Sequence, residues 1–339
     1  MGVVTVSRVI NGRPGVSEEM RTWVRSVIDR LQYVPKELDR RPGRKPKPGT
    51  IGATPRIIDL VIAYPFRLGD FAARAPIYAR MLDALDEAAE RQGLELYVRQ
   101  GRCAAPKVQA GSLVGRMIFG MPENTDLVLD PPGTPTPPHV WIMGGDNGDF
   151  SGDSVRVDHA RIGELAALTL HRRGHRHLAF LGTWMGYSDR PTGMRAEAFA
   201  WHATARGCTV TTVADPNLVN NRTGQNEPDE ALLASSLDRC LAGNPRPTAL
   251  FLELAVLAPA LWRLLAERGL RPGIDVEVLV CNNDGIYLDR LQPRPLVIDI
   301  PCRAMADLAV DLLINRHLRT YVRPPTRFLV APEVVPEKS

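Results

Sequence analysis

Cysteine, long apolar runs and catalytic signatures are all scarce in this chain, and each shortage removes a class of protein. The five cysteines, Cys103, Cys208, Cys240, Cys281 and Cys302, are scattered, odd in number and never spaced C-x-x-C. That argues against a disulfide frame and against a cysteine-rich zinc site. No segment approaches the apolar length that crosses a bilayer. The opening MGVVTVSRVINGRPG has no cationic stretch followed by an apolar run and a cleavage site, so a cytoplasmic chain without a membrane partner is expected. The phosphate-binding G-x-x-x-x-G-K-[ST] loop, a G-x-G-x-x-G after the first strand and the G-x-S-x-G elbow are all missing. The acidic residues and histidines show no recognisable catalytic pairing, so no catalytic residue and no cofactor are expected. His171, His175 and His177 form H-x3-H-x-H. On a helix-to-strand turn that spacing does not bring three rings to one face, and no metal site is expected.

What is present is ordinary globular material, 44% hydrophobic and 24% charged, long enough for two or three domains. The net charge of +4 is unevenly spread. Residues 1–56 hold twelve Lys/Arg against five Asp/Glu, a net of +7, and the remainder holds thirty against thirty-three, a net of −3. A basic head on a mildly acidic body suits a polyanion-binding module; a basic solvated tail would have the same charge.

Val3, Val4, Val6, Val9 and Ile10 suit either a short helix or a strand, which Asn11-Gly12-Arg13-Pro14 ends. Ser17 is a good N-cap with Glu18 and Glu19 behind it, and apolar residues at helical spacing predict an amphipathic helix over 17–31. RRPGRKPKPG (40–49) reads as a linker. Beyond residue 56 strands and helices alternate. Strands are expected at 57–64, 94–98, 116–120, 139–143, 177–182, 209–213, 248–252, 276–280, 296–300 and 327–330. Helices are expected at 73–92, 159–173, 193–206, 229–242, 256–268 and 303–319. Such alternation implies parallel sheets covered on both faces, and its length implies two doubly wound lobes with a ligand cleft at their junction.

Several strings share a pattern. TVSRVING (5–12), Val16-Ser17 and Tyr33-Val34-Pro35 stand in the head. DHARIG (158–163), LHRRGHRHLAFLG (170–182), PTALF (247–251) and GLRPGIDVEVLV (269–280) follow in the body. In this order, over nearly the whole chain, they resemble the LacI/GalR repressor family. The resemblance implies an α/β protein of two doubly wound, periplasmic-binding-protein-like lobes behind a small all-α helix-turn-helix head. The expected divisions are a partial DNA-binding head at 1–39, a hinge at 40–56 and an effector-binding and dimerisation body at 57–339.

The resemblance places Val3 and Val4 at specificity positions of a recognition helix. It makes Arg8 the candidate for a two-acceptor contact with guanine. Thr5, Ser7, Asn11 and Ser17 would hold phosphates, and Tyr33 belongs to the same DNA-binding set. In the body it assigns Arg195 to grip an effector. Asn283, where the family has aspartate, joins the effector set, with Trp184 and Phe66 as cleft-side residues. The implied partners are a two-fold double-stranded DNA operator, a small-molecule effector and a second copy of the chain.

The sequence departs from the family in three places. The opening helix and turn do not precede Met1, which leads to the expectation either that translation starts further upstream or that tight DNA binding has been lost. Pro42 stands where the hinge helix has its minor-groove leucine, and proline is a poor interior helix residue. Leu254-Ala255 replace an Asn-Asp pair that bonds hydroxyls, which argues against an ordinary monosaccharide and for a less polar effector or none. The rival readings are a cytosolic small-molecule-binding protein that no longer regulates DNA, a periplasmic binding protein and, last, an enzyme.

Overall fold

The fold is that of a computed structural model, which describes residue 9 and residues 17–30, 56–64, 69, 76–101, 103, 111–120, 137–144, 152–183, 191–220, 227–318 and 324–335. Of the expected site residues, Val3, Val4, Thr5, Ser7, Arg8, Asn11, Tyr33, Phe66 and Trp184 lie outside these, as does the basic stretch 40–49. The chain divides into two compact units, Met1–Gly52 and Ala53–Ser339.

In the first unit, helix α1 spans Glu18–Arg30 with Glu18 and Glu19 in its first turn. The Ser17 hydroxyl accepts from the Met20 backbone N–H at 3.3 Å, and the Ser17 carbonyl accepts from Arg21 N–H at 2.9 Å. The serine is therefore engaged as a cap. Val9 and Val24 are buried, and Trp23 is half exposed.

The second unit is built on two six-stranded sheets. In chain order the elements of its first half are β1 (Ile57–Ala63), α2 (Pro76–Arg91), β2 (Glu95–Gln100), β3 (Leu113–Gly120), β4 (His139–Ile142) and β5 (Asp153–Val157). Next come α3 (His159–Arg172), β6 (His177–Gly182), α4 (Pro191–Thr204), β7 (Thr209–Ala214), a small β8–β9 ladder (Val219–Asn220 with Glu227–Pro228) and α5 (Glu230–Leu241). The rest is β10 (Ala249–Leu252), α6 (Ala258–Glu267), β11 (Glu277–Cys281), α7 (Gly285–Leu288), β12 (Leu296–Asp299), α8 (Cys302–Leu318), β13 (Arg327–Val330) and β14 (Glu333–Val335).

The first sheet runs β13-β5-β4-β3-β1-β2, parallel throughout. The second runs β14-β12-β11-β10-β6-β7. It is parallel except at its edge, where β14 lies antiparallel on β12, so the two expected doubly wound lobes are present with one antiparallel edge strand. The chain crosses between lobes after β5, after β12 and after β13. Helix α8 returns to cover β3, β4 and β5 and packs on α2, while α3 pairs with α4 under the second sheet.

Strand β1, IIDLVIA, shows why these segments become strands. Its branched apolar residues are buried on both faces, as a sheet covered on both sides requires. The exception, Asp59, is fully buried with two cations. Arg99 forks onto it at 2.7 and 2.9 Å, and Arg116 Nε donates at 2.9 Å. Without such partners a buried carboxylate would be strongly unfavourable.

Strand β5, DSVRV, is absent from the pattern-based reading because charges interrupt it. Each of its residues is nonetheless buried, and Arg316 holds the Asp153 carboxylate with two contacts of 2.6 Å. The helix expected at 256–268 separates into a 3-10 turn, Ala255–Leu257, and α6, with proline in the first turn of α6. Proline has no N–H to lose there.

Candidate effector cleft

The carboxyl ends of β6, β10, β11 and β12 form one rim, the usual ligand side of a doubly wound sheet. Gly182 ends β6 and Thr183 follows it, and Glu253 follows β10. Asn282, Asn283 and Asp284 follow β11, and Asp299 ends β12. Helices α3 and α4 bring His159 and Arg195 to this rim, and α2 of the other lobe brings Arg80.

Arg195 is buried, and two contacts fix its direction. Its Nη1 donates to the Glu253 carbonyl at 3.1 Å and its Nε donates to His159 Nδ1 at 3.1 Å. An imidazole nitrogen that accepts from a guanidinium carries no proton, so His159 is neutral with its hydrogen on Nε2. Burial, together with the charges of Arg195 and Arg156, pushes the His159 pKa well below its usual value, in agreement with the geometry. Close helix packing sets the position of Arg195. A Cβ on Gly163 of α3 would overlap the Arg195 carbonyl oxygen and lie 2.7 Å from the Phe199 nitrogen, so only glycine lets α3 approach α4 this closely.

Glu253 is fully buried, and its Oε2 accepts from the Thr183 backbone N–H and, at 2.9 Å, from the Thr183 hydroxyl. A side chain on Gly182 would overlap that same oxygen. Two glycines therefore make room for Arg195 and Glu253.

Arg80 reaches in from the opposite lobe. Its Nη2 lies 2.8 and 3.0 Å from the two Asp299 oxygens, and its Nη1 lies 3.4 Å from the Asn283 carbonyl and 3.8 Å from Asp284 Oδ1. Burial pushes the Asp284 pKa up to about 6; the Arg80 charge opposes this and Asp299 adds to it. The Asn283 side chain accepts from Arg294 at 2.8 Å.

Of the residues expected at this cleft, Arg195 and Asn283 are described, and both stand at the rim, Arg195 on α4 and Asn283 just after β11. Pattern reading did not find Arg80, His159, Thr183, Glu253, Asp284 or Asp299. For Glu253 there was a signal, a single acid inside the apolar run LFLELAVL. It stands one residue before Leu254 and supplies a carboxylate where the rim would otherwise be apolar. Two histidines of the triplet are held by neighbouring side chains. His175 lies 2.6 Å from Glu277 and 2.9 Å from the Thr248 hydroxyl, and His177 lies 2.9 Å from the Thr209 hydroxyl.

Residues 154–339, more than half of the chain, match the model of the periplasmic binding protein-like domain, and residues 1–36 match that of the bacterial regulatory proteins of the lacI family. The chain belongs to the lacI family. It is a DNA-binding transcriptional regulator with a periplasmic binding protein-like body. The regulator is similar to the HTH-type transcriptional repressor PurR of Haemophilus influenzae, at 25% identity over 100% of this chain and 95% of that protein. It is also similar to the HTH-type transcriptional regulator CelR of Thermobifida fusca, at 25% identity over 93% of this chain and 88% of that one. Among solved structures, a transcriptional regulator CelR–cellobiose complex shares its fold with a TM-score of 0.61 at 20% identity, covering 99% of this chain and 95% of that one. The lac repressor bound to ONPG does so with a TM-score of 0.57 at 17% identity, over 99% and 95% of the two chains. No helix among the described residues of the regulator is long and apolar enough to cross a membrane.

Proposed function

We propose that this regulator works in the cytoplasm as a homodimer. Its heads, residues 1–39, read the two halves of an operator, and its body, residues 57–339, binds an effector between the lobes and releases it unchanged. Residues 40–56 join the two. In this reading Arg8 reads a guanine, with Val3 and Val4 beside it. Thr5, Ser7, Asn11, Ser17 and Tyr33 set register on the backbone. Pairing of heads follows from the few base contacts one head can make.

The observation that carries the sensing half is the rim itself. Arg195, anchored by Glu253 and His159, faces a junction that Arg80 closes from the other lobe. An effector shifts the lobes only by binding one arrangement better than the other. One that occupies this rim meets Arg80, Asp284 and Asp299 directly, and those are the groups that join the lobes. The charged rim also favours a polar effector with both donors and acceptors over the apolar one that Leu254-Ala255 suggest. Phe66 and Trp184 belong to the same cleft in this reading.

The test is selection of bound sequences from random double-stranded DNA by the full chain, repeated with Arg8→Ala. A two-fold motif is expected, and Arg8→Ala weakens binding by about 1–3 kcal/mol and relaxes one position in each half. An unchanged motif in the variant rules out the Arg8 assignment, and no enriched motif at all leaves a small-molecule-binding protein without operator reading.

A further inference from the structure

At the amino ends of β11 and β12, the opposite end of these strands from the cleft, lies a cavity of about 550 Å³. That is within the range of small-molecule sites. Its walls include Trp262 of α6, Ile274 from the turn before β11, Glu277 at the start of β11, and Pro293, Arg294 and Pro295 leading into β12.

Two of these residues carry a buried donor with no acceptor, Trp262 Nε1 and Arg294 Nε. Both groups can only donate, and folded proteins rarely leave such atoms unpaired. The other charges of the wall are already satisfied. Arg173 lies 2.7 Å from Glu277, and His175 lies 2.6 Å from the other oxygen of that carboxylate. Burial alone would raise the Glu277 pKa, but the hydrogen bonds from Arg173 and His175 hold it below the usual carboxylate value. The Glu277 carboxylate is therefore already bonded by Arg173 and His175, and the unmet demand is for an acceptor. The prolines and the exposed Ile274 supply apolar walls around it.

Arg294 also reaches toward the cleft. Its Nη2 donates to Asn283 Oδ1 at 2.8 Å and contacts Asp289 at 3.3 Å, while the Asn283 carbonyl accepts from Arg80 at 3.4 Å. One guanidinium thus touches both the cavity and the junction between the lobes.

We propose that this cavity is a second small-molecule site that takes a compact carboxylate with a flat apolar body and signals its occupancy to the cleft through Arg294 and Asn283. Both donors are closed off in the present side-chain positions, so the ligand's carboxylate accepts from Arg294 Nε and Trp262 Nε1 after the two side chains turn toward the cavity, and its apolar body packs against the prolines. A carboxylate suits a guanidinium edge because both are planar and charged. Binding at the cavity stands by itself; the signal to the cleft rests on the proposed sensing role of the interlobe rim.

The test uses the full chain with nitrogen-15-labelled tryptophan, and benzoate, phenylacetate and cyclohexanecarboxylate as probes. At least one probe is expected to move the Trp262 indole N–H resonance, assigned with Trp262→Phe, along a saturable curve. Arg294→Gln is expected to weaken that binding tenfold or more. Arg294→Lys, which keeps the charge but loses the Nε donor, gives a similar loss and covers the case in which the glutamine variant does not fold. Arg195→Ala leaves the curve unchanged. The site is overturned if no probe gives a saturable shift, or if the Arg294→Lys protein binds like the parent. A curve abolished by Arg195→Ala would overturn it too, by placing the probe in the cleft. So would a Trp262 resonance that moves with protein concentration instead of probe, since a second copy would then cover this face. If the site binds but the coupling is wrong, probe binding persists while Asn283→Ala leaves its effect on operator affinity unaltered.

Discussion

The Arg80 guanidinium and the Asp299 carboxylate meet across the two lobes of the body, in contacts of 2.8 and 3.0 Å. One residue stands on α2 in the first lobe, the other at the last residue of β12 in the second. Both are partly shielded from water, and Asp284 stands beside them at 3.8 Å. Two carboxylates facing one arginine form a junction that is stable while the lobes are together and has no counterpart when they part.

Arg80→Ala should therefore loosen the body without unfolding either lobe. Partly exposed ion pairs contribute about 1 kcal/mol or less, so the urea midpoint should fall only slightly. The radius of gyration in small-angle scattering should rise as open arrangements gain population. A scattering curve identical to the parent's would show that this pair does not hold the lobes together.

Asp284 gives a pH dependence whose sign can be worked out. Its folded value of about 6 lies above the ordinary 3.8, so the folded chain holds this proton more tightly than the unfolded one. The stabilisation from the protonated group is complete below 3.8 and is lost as pH rises through about 6. At about 1.4 kcal/mol per pKa unit the change is roughly 3 kcal/mol. Asp284→Asn should remove this component, so the variant gains stability relative to the parent on going from pH 4 to about pH 7. Denaturation at both pH values checks it, and an equal difference between the two proteins at each pH would refute the assignment.

Asp59 is expected to be among the least replaceable residues of the first lobe. Asp59→Ala leaves Arg99 and Arg116 buried without their carboxylate, and breaking such a cluster costs about 3–5 kcal/mol. Urea denaturation of the full chain would measure the loss. A drop below about 1 kcal/mol would mean that water reaches these groups.

Gly163→Ala tests how Arg195 is positioned. The added methyl meets the backbone of α4 at Arg195 and Phe199, and overpacking of this kind costs about 1–3 kcal/mol. Because the strain falls on the turn that carries Arg195, the imidazole of His159 should lose its guanidinium donor. Its pKa, followed by proton NMR, should then move up toward the ordinary histidine value, while Gly243→Ala, away from the rim, leaves it unmoved.

Much of the architecture was legible along the chain. Apolar runs such as IIDLVIA and HLAFLG have the continuous hydrophobicity of strands covered on both faces, and the helices between them have apolar residues at helical spacing. That pattern depends on local periodicity, which one segment carries by itself. Strand β5 was hidden because Asp153 and Arg156 look like loop residues until Arg316, far along the chain, is seen to satisfy the first. The antiparallel edge β14 was hidden for a related reason, since three residues carry too little pattern to mark a strand.

The rim divides in the same way. Arg195 and Asn283 take their expected roles from the family resemblance. The roles of Arg80, His159 and Asp299 were not legible, because each acquires its role from a partner on another element, and Arg80 from a partner in another lobe. The sequence by itself determined most of the strands and helices, and that they build two wound lobes with a basic head, because burial patterns and charge are properties of contiguous residues. Only the tertiary structure decided which charges face one another across the cleft, because a charge becomes a buried partner or a solvated surface group according to what the fold brings within hydrogen-bonding distance.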